Sequence, residues 1–320
     1  MQLSNEIITA SASAVRHTGS HLFWTTNPTE SLRISIRQFG QTTPVLAQET
    51  QDGLELIAGH ARLAILRELG EPVLVRLVED ADDRDKGLLY ITDNATRPMD
   101  DGMRLSALQY FRPIIDDKAL KADIFPLLGV KPKSKDAKLL LAWLDLPKAW
   151  QNLLAKGNIP LAAGTTIARM NDYDRGAVEQ LFSGFSWSRS NAVNMLTWLF
   201  ETGKMHASPV ADVMESAGLN DILKQGLSPK DAITRLTTAM KAARYPELSQ
   251  LQDDFAKAAR ELTAGTRWRM NQPNNFETSG AELSVQIKNS SQLAKAIKEL
   301  ETMAGMSPWQ TMWKLGGQND

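Results

Sequence analysis

The first hundred residues alternate between the apolar spacing of helices and that of strands. Asn27-Pro28-Thr29-Glu30 combines a capping residue, a proline at the first helical position and an acid in the first turn, which predicts a helix start. Leu32, Ile36 and Phe39 then recur at near-helical spacing as far as Gly40. The same patterns predict strands over 44–48, 54–58 and 73–78, a helix over 60–69, and another helix that follows an acidic loop at 79–85 and reaches about 94. A small α/β unit is therefore predicted.

The rest of the chain carries mainly helical patterns. Ser228-Pro229 is a strong helix start, and Pro246 begins a long amphipathic helix. A separate helix is expected to end at Gly203. The period then changes, because apolar residues alternate over 283–287 and predict a strand before a last helix over 293–303.

These elements predict an α+β protein in three parts. A small α/β domain is expected over 1–100, a helical domain over 101–185, and a mostly helical region with one short strand unit over 186–320. A lone strand with a single alternating face needs a partner, so 266–305 is a candidate dimerisation module. The alternative is that the strand and its helix simply pack on the long helix that begins at Pro246.

The composition excludes several kinds of chemistry. The chain has 320 residues, 42% of them hydrophobic, and no cysteine, which excludes disulfides, zinc ribbons, iron–sulfur clusters and thiol nucleophiles. Its four histidines show no metal-ligand spacing. No apolar run approaches the roughly 20 residues that span a bilayer, and the N-terminus shows no signal-peptide pattern. We therefore expect a cytoplasmic protein with no membrane partner.

The distribution of charge says more than its total. The net charge is −1, but residues 1–100 balance at −5 and residues 118–175 at +5. A binding surface for an anionic partner is therefore expected in the middle of the chain.

The basic segment has the layout of a helix–turn–helix. A first helix should end at Leu128-Gly129, although Pro126 inside it should kink or shorten it. Ser134 is a plausible cap for a second helix, whose predicted buried face is Ala137, Leu140, Leu141 and Leu144. The candidate DNA contacts at its N-terminal end are Lys131, Lys133, Ser134, Lys135 and Lys138. The alternative is a solvated loop followed by an ordinary charged helix face.

Three short segments of the α/β unit carry candidate phosphate chemistry. Gly59 lets the backbone turn tightly before a helix, and Arg62 in the first turn can reach an anion with its fork of donors. The remaining candidates are Gln41, Thr42 and Thr43 before another strand, and Asp93, Asn94 and Arg97, which could hold a magnesium–phosphate pair. The alternatives are structural: Gly59 and Asn94 as helix caps, and Arg62 paired with Glu68 or with the acidic loop. No Walker motif or Rossmann glycine triplet is present.

In this order and spacing, the segments resemble the ParB family of chromosome and plasmid partition proteins and related transcriptional regulators. The resemblance covers roughly 31–182. The segment 32–45 is similar to the family's first box, in which a helix, a glycine and a strand opening with proline follow one another. Gly59-His60-Ala61-Arg62 stands where the family has Gly-Glu-Arg-Arg, and Asp93-Asn94-Ala95-Thr96-Arg97 where it has Glu-Asn-x-x-Arg. The segment from Lys118 to about Met170 is similar to its helix–turn–helix domain.

The resemblance implies a ParB/sulfiredoxin-like N-terminal domain, a helix–turn–helix domain and a homodimer that binds double-stranded DNA. Several family members bind and slowly hydrolyse CTP with magnesium. Carried over, Gly59 and Arg62 would hold phosphates, Gln41, Thr42 and Thr43 would line the nucleotide, and Asp93 and Asn94 would sit at the metal and phosphates.

Two positions depart from the family pattern. His60 replaces the glutamate and Ala61 replaces the first arginine of the phosphate box. Losing one guanidinium removes a contact of roughly 1.5–3 kcal/mol, which at the top of that range is about a hundredfold in affinity. A Gly-His-x-Arg version occurs in other ParB-like domains, some of them described as nucleases, so His60 either has its own task or is a polar residue at a helix start.

The main hypothesis is a sequence-specific DNA-binding protein in partition or transcriptional regulation, associated with the nucleoid or a plasmid. The first alternative is an enzyme, either a CTP hydrolase with an altered phosphate box or a nuclease. The second alternative is a protein-interaction scaffold for which DNA is incidental.

Overall fold

The computed structural model describes residues 1–272, 276–277 and 280–315. The chain forms two compact units, Met1–Thr197 and Trp198–Asp320. The first combines a five-stranded mixed sheet with helices, and the second is mainly helical with one strand pair. The prediction of an α+β fold is therefore confirmed.

The strands of the first unit are β1 (Gln2–Ser11), β2 (Val15–Arg16), β3 (Val45–Thr50), β4 (Gly53–Ala58) and β5 (Pro72–Glu79). Its helices are α1 (Glu30–Phe39), α2 (His60–Leu69), α3 (Asp83–Asp93), α4 (Asp101–Phe111), α5 (Asp117–Ala119), α6 (Phe125–Leu127), α7 (Lys135–Leu144), α8 (Lys148–Ala155), α9 (Gly164–Ile167), α10 (Asp172–Phe182) and the start of α11 (Arg189–His206). The second unit contains α12 (Val210–Ser216), α13 (Leu219–Lys224), α14 (Pro229–Arg244), α15 (Pro246–Thr263), β6 (Arg269–Asn271), β7 (Glu282–Ser284), α16 (Ser290–Ala304) and α17 (Pro308–Met312).

The sheet of the first unit has the strand order β1-β5-β3-β4-β2. β3 pairs antiparallel with β4 and parallel with β5, while β1 adds antiparallel to the outer edge of β5. Val45, Ala47, Leu56 and Val75 are fully buried on the central strands. The three central strands lie where the apolar pattern predicts them. β1 escapes prediction because none of its residues is buried and it lacks the alternation that marks a buried face, and β2 because its two residues are too few to show a period.

Two helices begin elsewhere than predicted, because other residues cap them. Thr29, not Asn27, caps α1, and its hydroxyl accepts a hydrogen bond from the Leu32 amide. Asp82 caps α3 by accepting from the Asp85 amide, so part of the predicted acidic loop is the first turn of this helix. Carboxylates are favourable there because they face the positive end of the helix dipole.

The first helix of the basic segment is irregular at the proline. A π-helical turn, Leu120–Ile124, joins α5 to α6, and the Phe125 amide bonds to the Leu120 carbonyl. Pro126 cannot donate a backbone hydrogen bond, and its ring crowds the preceding turn. We interpret the widened turn as the way the helix accommodates Pro126 without a break, where a kink or a shortening was predicted.

The α4–α8 contact depends on a glycine. A Cβ atom added at Gly102 would lie 2.7 Å from the Ala155 Cα and 3.0 Å from its carbonyl oxygen, so backbone meets backbone at this point.

Gly102→Ala should therefore destabilise the protein by about 1–3 kcal/mol, because neither backbone can move without repacking the helices. Gly176→Ala is the matched control, since Gly176 lies on the exposed side of α10 and nothing lies within 4 Å of the added atom. Alanine there should stabilise the helix by about 0.5–1 kcal/mol. Urea denaturation measures both. Equal effects of the two substitutions would contradict the packing argument.

The second unit differs from its prediction at two places. β7 covers only Glu282–Ser284 and pairs antiparallel with β6, so the premise of a lone strand in need of a partner is wrong. Gly203 lies inside α11 instead of ending a helix. The apolar cluster of this unit joins α15 to the C-terminal helices through Phe255, Leu262 and Met303. Within the described residues, no helix is long and apolar enough to cross a membrane.

Candidate functional site

The N-terminal end of α7 presents the predicted lysines to solvent. Ser134 caps the helix as predicted, its hydroxyl accepting from the Ala137 amide at 3.1 Å. Lys131, Lys133, Lys135 and Lys138 are all exposed. The ion pairs of the helical region are made by arginines on other elements. In the part of the chain that the structure describes, no ion pair involves any of these four lysines. Their positive charge is therefore available to an external anion.

The opposite face of α7 is anchored in the core. Leu140 and Trp143 are fully buried, and the Trp143 indole N–H donates to the Leu161 carbonyl at 2.8 Å. Of the predicted face, Ala137 and Leu140 are buried but Leu141 and Leu144 are only half-buried. Leu139 and Trp143 take their place, so the buried stripe is rotated towards these two residues.

Gln151 on α8 holds the C-terminal end of α7. Its buried amide nitrogen lies within hydrogen-bond distance of three carbonyl oxygens, those of Trp143, Leu144 and Leu146, at 3.2, 3.1 and 2.9 Å. Its carbonyl oxygen accepts from Gln109 on α4 at 2.6 Å. The last carbonyls of a helix lack intrahelical partners, so this side chain satisfies them and sets the direction of α7. Nothing in the local sequence distinguishes this glutamine from a solvent-exposed one.

The α/β part of the first unit contains a cavity of about 490 Å³. It lies where the start of β3, the start of α2 and the end of α3 converge. The predicted residues that line it are Thr42, Thr43, Gly59, His60, Arg62, Asp93, Asn94 and Arg97. Tyr90, Trp24 and Thr26 also line it, and the latter two belong to a segment before α1 for which the sequence offered no signal.

Gly59 is required at the start of α2 for two reasons. Its φ of +99° lies in the region that side chains rarely adopt. A Cβ atom would also lie 2.7 Å from Val45 Cγ1 and 3.1 Å from Arg62 Nη2. The missing side chain leaves the first amides of α2 uncapped and lets the backbone approach a ligand closely.

Arg62 points across the cavity to Asp93. Its Nη2 donates to Asp93 Oδ2 at 2.8 Å, and its Nη1 lies 3.3 Å from the Pro44 carbonyl oxygen. The alternative pairing of Arg62 with Glu68 does not occur, because Glu68 pairs with Arg33. The side chains of Arg62 and Asp93 are 17% and 25% exposed and Asp93 as a whole residue is exposed, so the pair is only partly shielded from solvent.

Arg97 and Asn94 connect the end of α3 to the segment before α1. The Asn94 amide donates to the Tyr90 carbonyl at 2.8 Å, and its oxygen accepts from Arg97 at 3.2 Å. Arg97 also donates to the Trp24 carbonyl and the Thr26 hydroxyl. These contacts hold this wall of the cavity in place, and the guanidinium groups of Arg62 and Arg97 both remain part of the cavity lining.

Gln41 does not line this cavity. Its amide donates to the Leu74 carbonyl at 2.9 Å and its oxygen accepts from the Leu74 amide at 2.6 Å, so the side chain pairs with β5 like a short strand. The same amide also donates to the Thr43 carbonyl at 3.0 Å, so Gln41 braces the segment that carries Thr42 and Thr43 without lining the cavity itself.

His60 lies between the cavity and a second basic group. Its ring centroid is 5.7 Å from that of His17, whose Nδ1 is 2.6 Å from Arg67 Nη1. Burial, and after it the nearby His17 and Arg67, lower the pKa of His60. Its Nδ1 is buried and has no hydrogen-bond partner among the described residues. At neutral pH the ring is therefore uncharged and adds no positive charge to the cavity.

The cavity suits a phosphate-bearing ligand better than a magnesium ion held by protein. Two guanidinium groups, a helix start and two threonines converge there, and all of them favour anions. Asp93, the predicted metal ligand, already pairs with Arg62. Among the described residues no three potential metal-binding side chains form a group.

Fold and sites together define an α+β protein with an exposed basic helix and a cavity of anion-binding character. No family model matches the sequence, and no curated protein matches it.

Comparison with solved structures finds ParB proteins, the family that the sequence motifs resemble. A C-terminally truncated ParB from Caulobacter crescentus complexed to the centromeric parS site is 16% identical, with a TM-score of 0.38 over 59% of this chain and 98% of that one. The same truncated protein complexed with CTP-gamma-S is 18% identical, with a TM-score of 0.26 over 56% and 99%. A Pnob8-like ParB-N domain is 18% identical, with a TM-score of 0.33 over 80% and 98%. At these values the comparison assigns no function to this chain.

Proposed function

We propose that this protein binds duplex DNA through the N-terminal end of α7, as a homodimer of the ParB type that acts in partition or in transcriptional regulation. The observation that carries the proposal is the set of four exposed lysines, without acidic partners in the described part of the chain, two in the turn before α7 and two in its first turns, while the other face of α7 is buried.

The electrostatics of α7 explain why the lysines lie there. Lysines near the N-terminal end of a helix are unfavourable to the helix dipole. They become favourable when a phosphate lies at that end, because dipole and ammonium groups attract it together. A capped helix that is packed into the protein core on one face and carries such lysines at its N-terminal end fits the major groove of a duplex.

Salt dependence tests the proposal without any substitution. If the four lysines neutralise four phosphates, affinity for a duplex should fall roughly tenfold for each doubling of the salt concentration. Fluorescence anisotropy with random duplex and with genomic fragments measures this slope, and the comparison separates specific from incidental binding. If the affinity for both kinds of duplex were independent of the salt concentration, the proposal would be contradicted.

We propose a second function, the binding of a nucleoside triphosphate such as CTP in the cavity at Gly59. It is supported by the meeting of three segments, distant in sequence, around two guanidinium groups and an uncapped helix start.

Calorimetry with CTP and ATP, with and without magnesium, tests this second function. Heat of binding should be observed with the wild-type protein. The affinity of Arg62→Ala for the nucleotide should be at least tenfold lower, because the variant loses a charge-assisted contact of roughly 1.5–3 kcal/mol. Arg16→Ala is the control, because Arg16 pairs with Asp52 outside the cavity. Phosphate release in the presence of DNA distinguishes an enzyme from a binding module. If neither nucleotide gave heat of binding, the proposal that the cavity binds a nucleoside triphosphate would be contradicted.

A further inference from the structure

Asp93 forms an ion pair with the Arg62 guanidinium, the group that an anionic ligand of the cavity would need. Its carboxylate lies 2.8 Å from Arg62 Nη2, the same nitrogen that would touch a side chain at Gly59. The carboxylate therefore meets the guanidinium beside the uncapped start of α2, where a phosphate would bind.

The position of Asp93 in its own helix is electrostatically unfavourable. It is the last residue of α3. A carboxylate at a helix C-terminus faces the negative end of the dipole and the unpaired carbonyls. Arg62 is the partner that compensates for this, since the two form an ion pair that is partly shielded from solvent.

The surroundings of Asp93 do not offer a cation site in its place. The neighbouring polar groups of the cavity include the guanidinium of Arg97, the amide of Asn94 and the hydroxyl of Thr96, and among the residues that the structure describes no second carboxylate lines it. Asn94 is also engaged, because it bonds to Tyr90 and Arg97.

We infer that Asp93 is an internal counter-ion of the cavity, which a polyphosphate must displace from Arg62 in order to bind. The inference rests on the proposed anion-binding function of this cavity and gives Asp93 a role opposite to that of a magnesium ligand. The carboxylate sets the threshold for binding, because every anion has to compete with one that is covalently part of the site. A weak anion then leaves the pair closed, whereas a triphosphate with several charges opens it.

Asp93→Asn tests the inference, because it keeps the size of the side chain and removes its charge. We expect the variant to bind inorganic triphosphate and CTP about two- to fivefold more tightly than the wild type in the absence of magnesium, the gain that corresponds to losing a competing, partly exposed ion pair. Asp52→Asn is the matched control, since it changes the net charge equally at the exposed pair with Arg16. Thermal unfolding establishes that the variants are folded, and Asp93→Ser serves as a second variant.

Each outcome decides a different point. Tighter binding of Asp93→Asn to inorganic triphosphate without any binding of CTP would support the counter-ion and overturn the nucleotide function. Equal affinities of wild type and Asp93→Asn would overturn the counter-ion while leaving nucleotide binding intact. Weaker binding of the variant, seen only with magnesium, would show Asp93 to be a metal ligand. Failure of the folded variant to bind any phosphate would overturn both proposals.

Discussion

Lys135→Glu combined with Lys138→Glu is expected to abolish retention on duplex DNA. Each lysine–phosphate contact is charge-assisted and contributes roughly 1.5–3 kcal/mol, so losing two lowers affinity on the order of a hundredfold or more. The new carboxylates also repel the phosphates, which adds to the loss. Electrophoretic mobility shift at low salt measures the effect.

Folding should be unaffected by this double substitution. Both side chains are exposed and make no ion pair in the described part of the chain, and a glutamate near the N-terminal end of α7 is favourable to its dipole. Lys230→Glu combined with Lys298→Glu is the matched control, because both residues are exposed in the second unit. Normal retention of the α7 variant at low salt, or equal loss in the control, would exclude α7 as the DNA-contacting helix.

Trp143→Ala is expected to cause the largest loss of stability. The indole is fully buried and bonds to the Leu161 carbonyl, and Gly164 leaves space for it, because a Cβ there would lie 2.4 Å from Nε1. Removing a buried aromatic side chain costs about 3–5 kcal/mol, a large part of the roughly 5–15 kcal/mol that stabilises a typical protein. Chemical denaturation measures the change in the free energy of unfolding.

Two further variants separate the causes of this loss. Trp143→Phe keeps most of the packing but removes the indole hydrogen bond to the Leu161 carbonyl, which retains the Gly164 amide as a donor, so an intermediate loss that includes about 0.5–1.5 kcal/mol for this bond is expected. Trp313→Ala is the control for an exposed indole, since Trp313 is 58% exposed, and its effect should be small. A loss below 1 kcal/mol in Trp143→Ala would mean that α7 is not held by this side chain.

Many local features of the fold follow from neighbouring residues alone. The bounds of α2 were predictable because a glycine in the left-handed region stands at each end, Gly59 and Gly70. The cap at Ser134 was predictable from a hydroxyl followed by a helical apolar pattern. The start of α1 was misplaced by two residues because Asn27 and Thr29 are both good caps, and the local pattern does not rank them.

The cavity shows where local reasoning ends. Most of its predicted lining is present, but Gln41 turns to β5 and Asp93 turns to Arg62. Both outcomes depend on a partner more than 30 residues away in the sequence. Edge strands β1 and β2 were missed for the same reason, since they are defined by pairing with distant strands.

The sequence by itself determined the periods of most helices and central strands, the cap at Ser134, the glycines that bound α2 and the placement of positive charge at the start of α7, because each of these depends on residues within a few positions of one another. Tertiary structure decided which face of α7 is buried, which side chain satisfies its last carbonyls, and which carboxylate neutralises Arg62. Those choices depend on how separate segments pack, and a hydrogen bond or ion pair forms only where packing brings its two partners within reach.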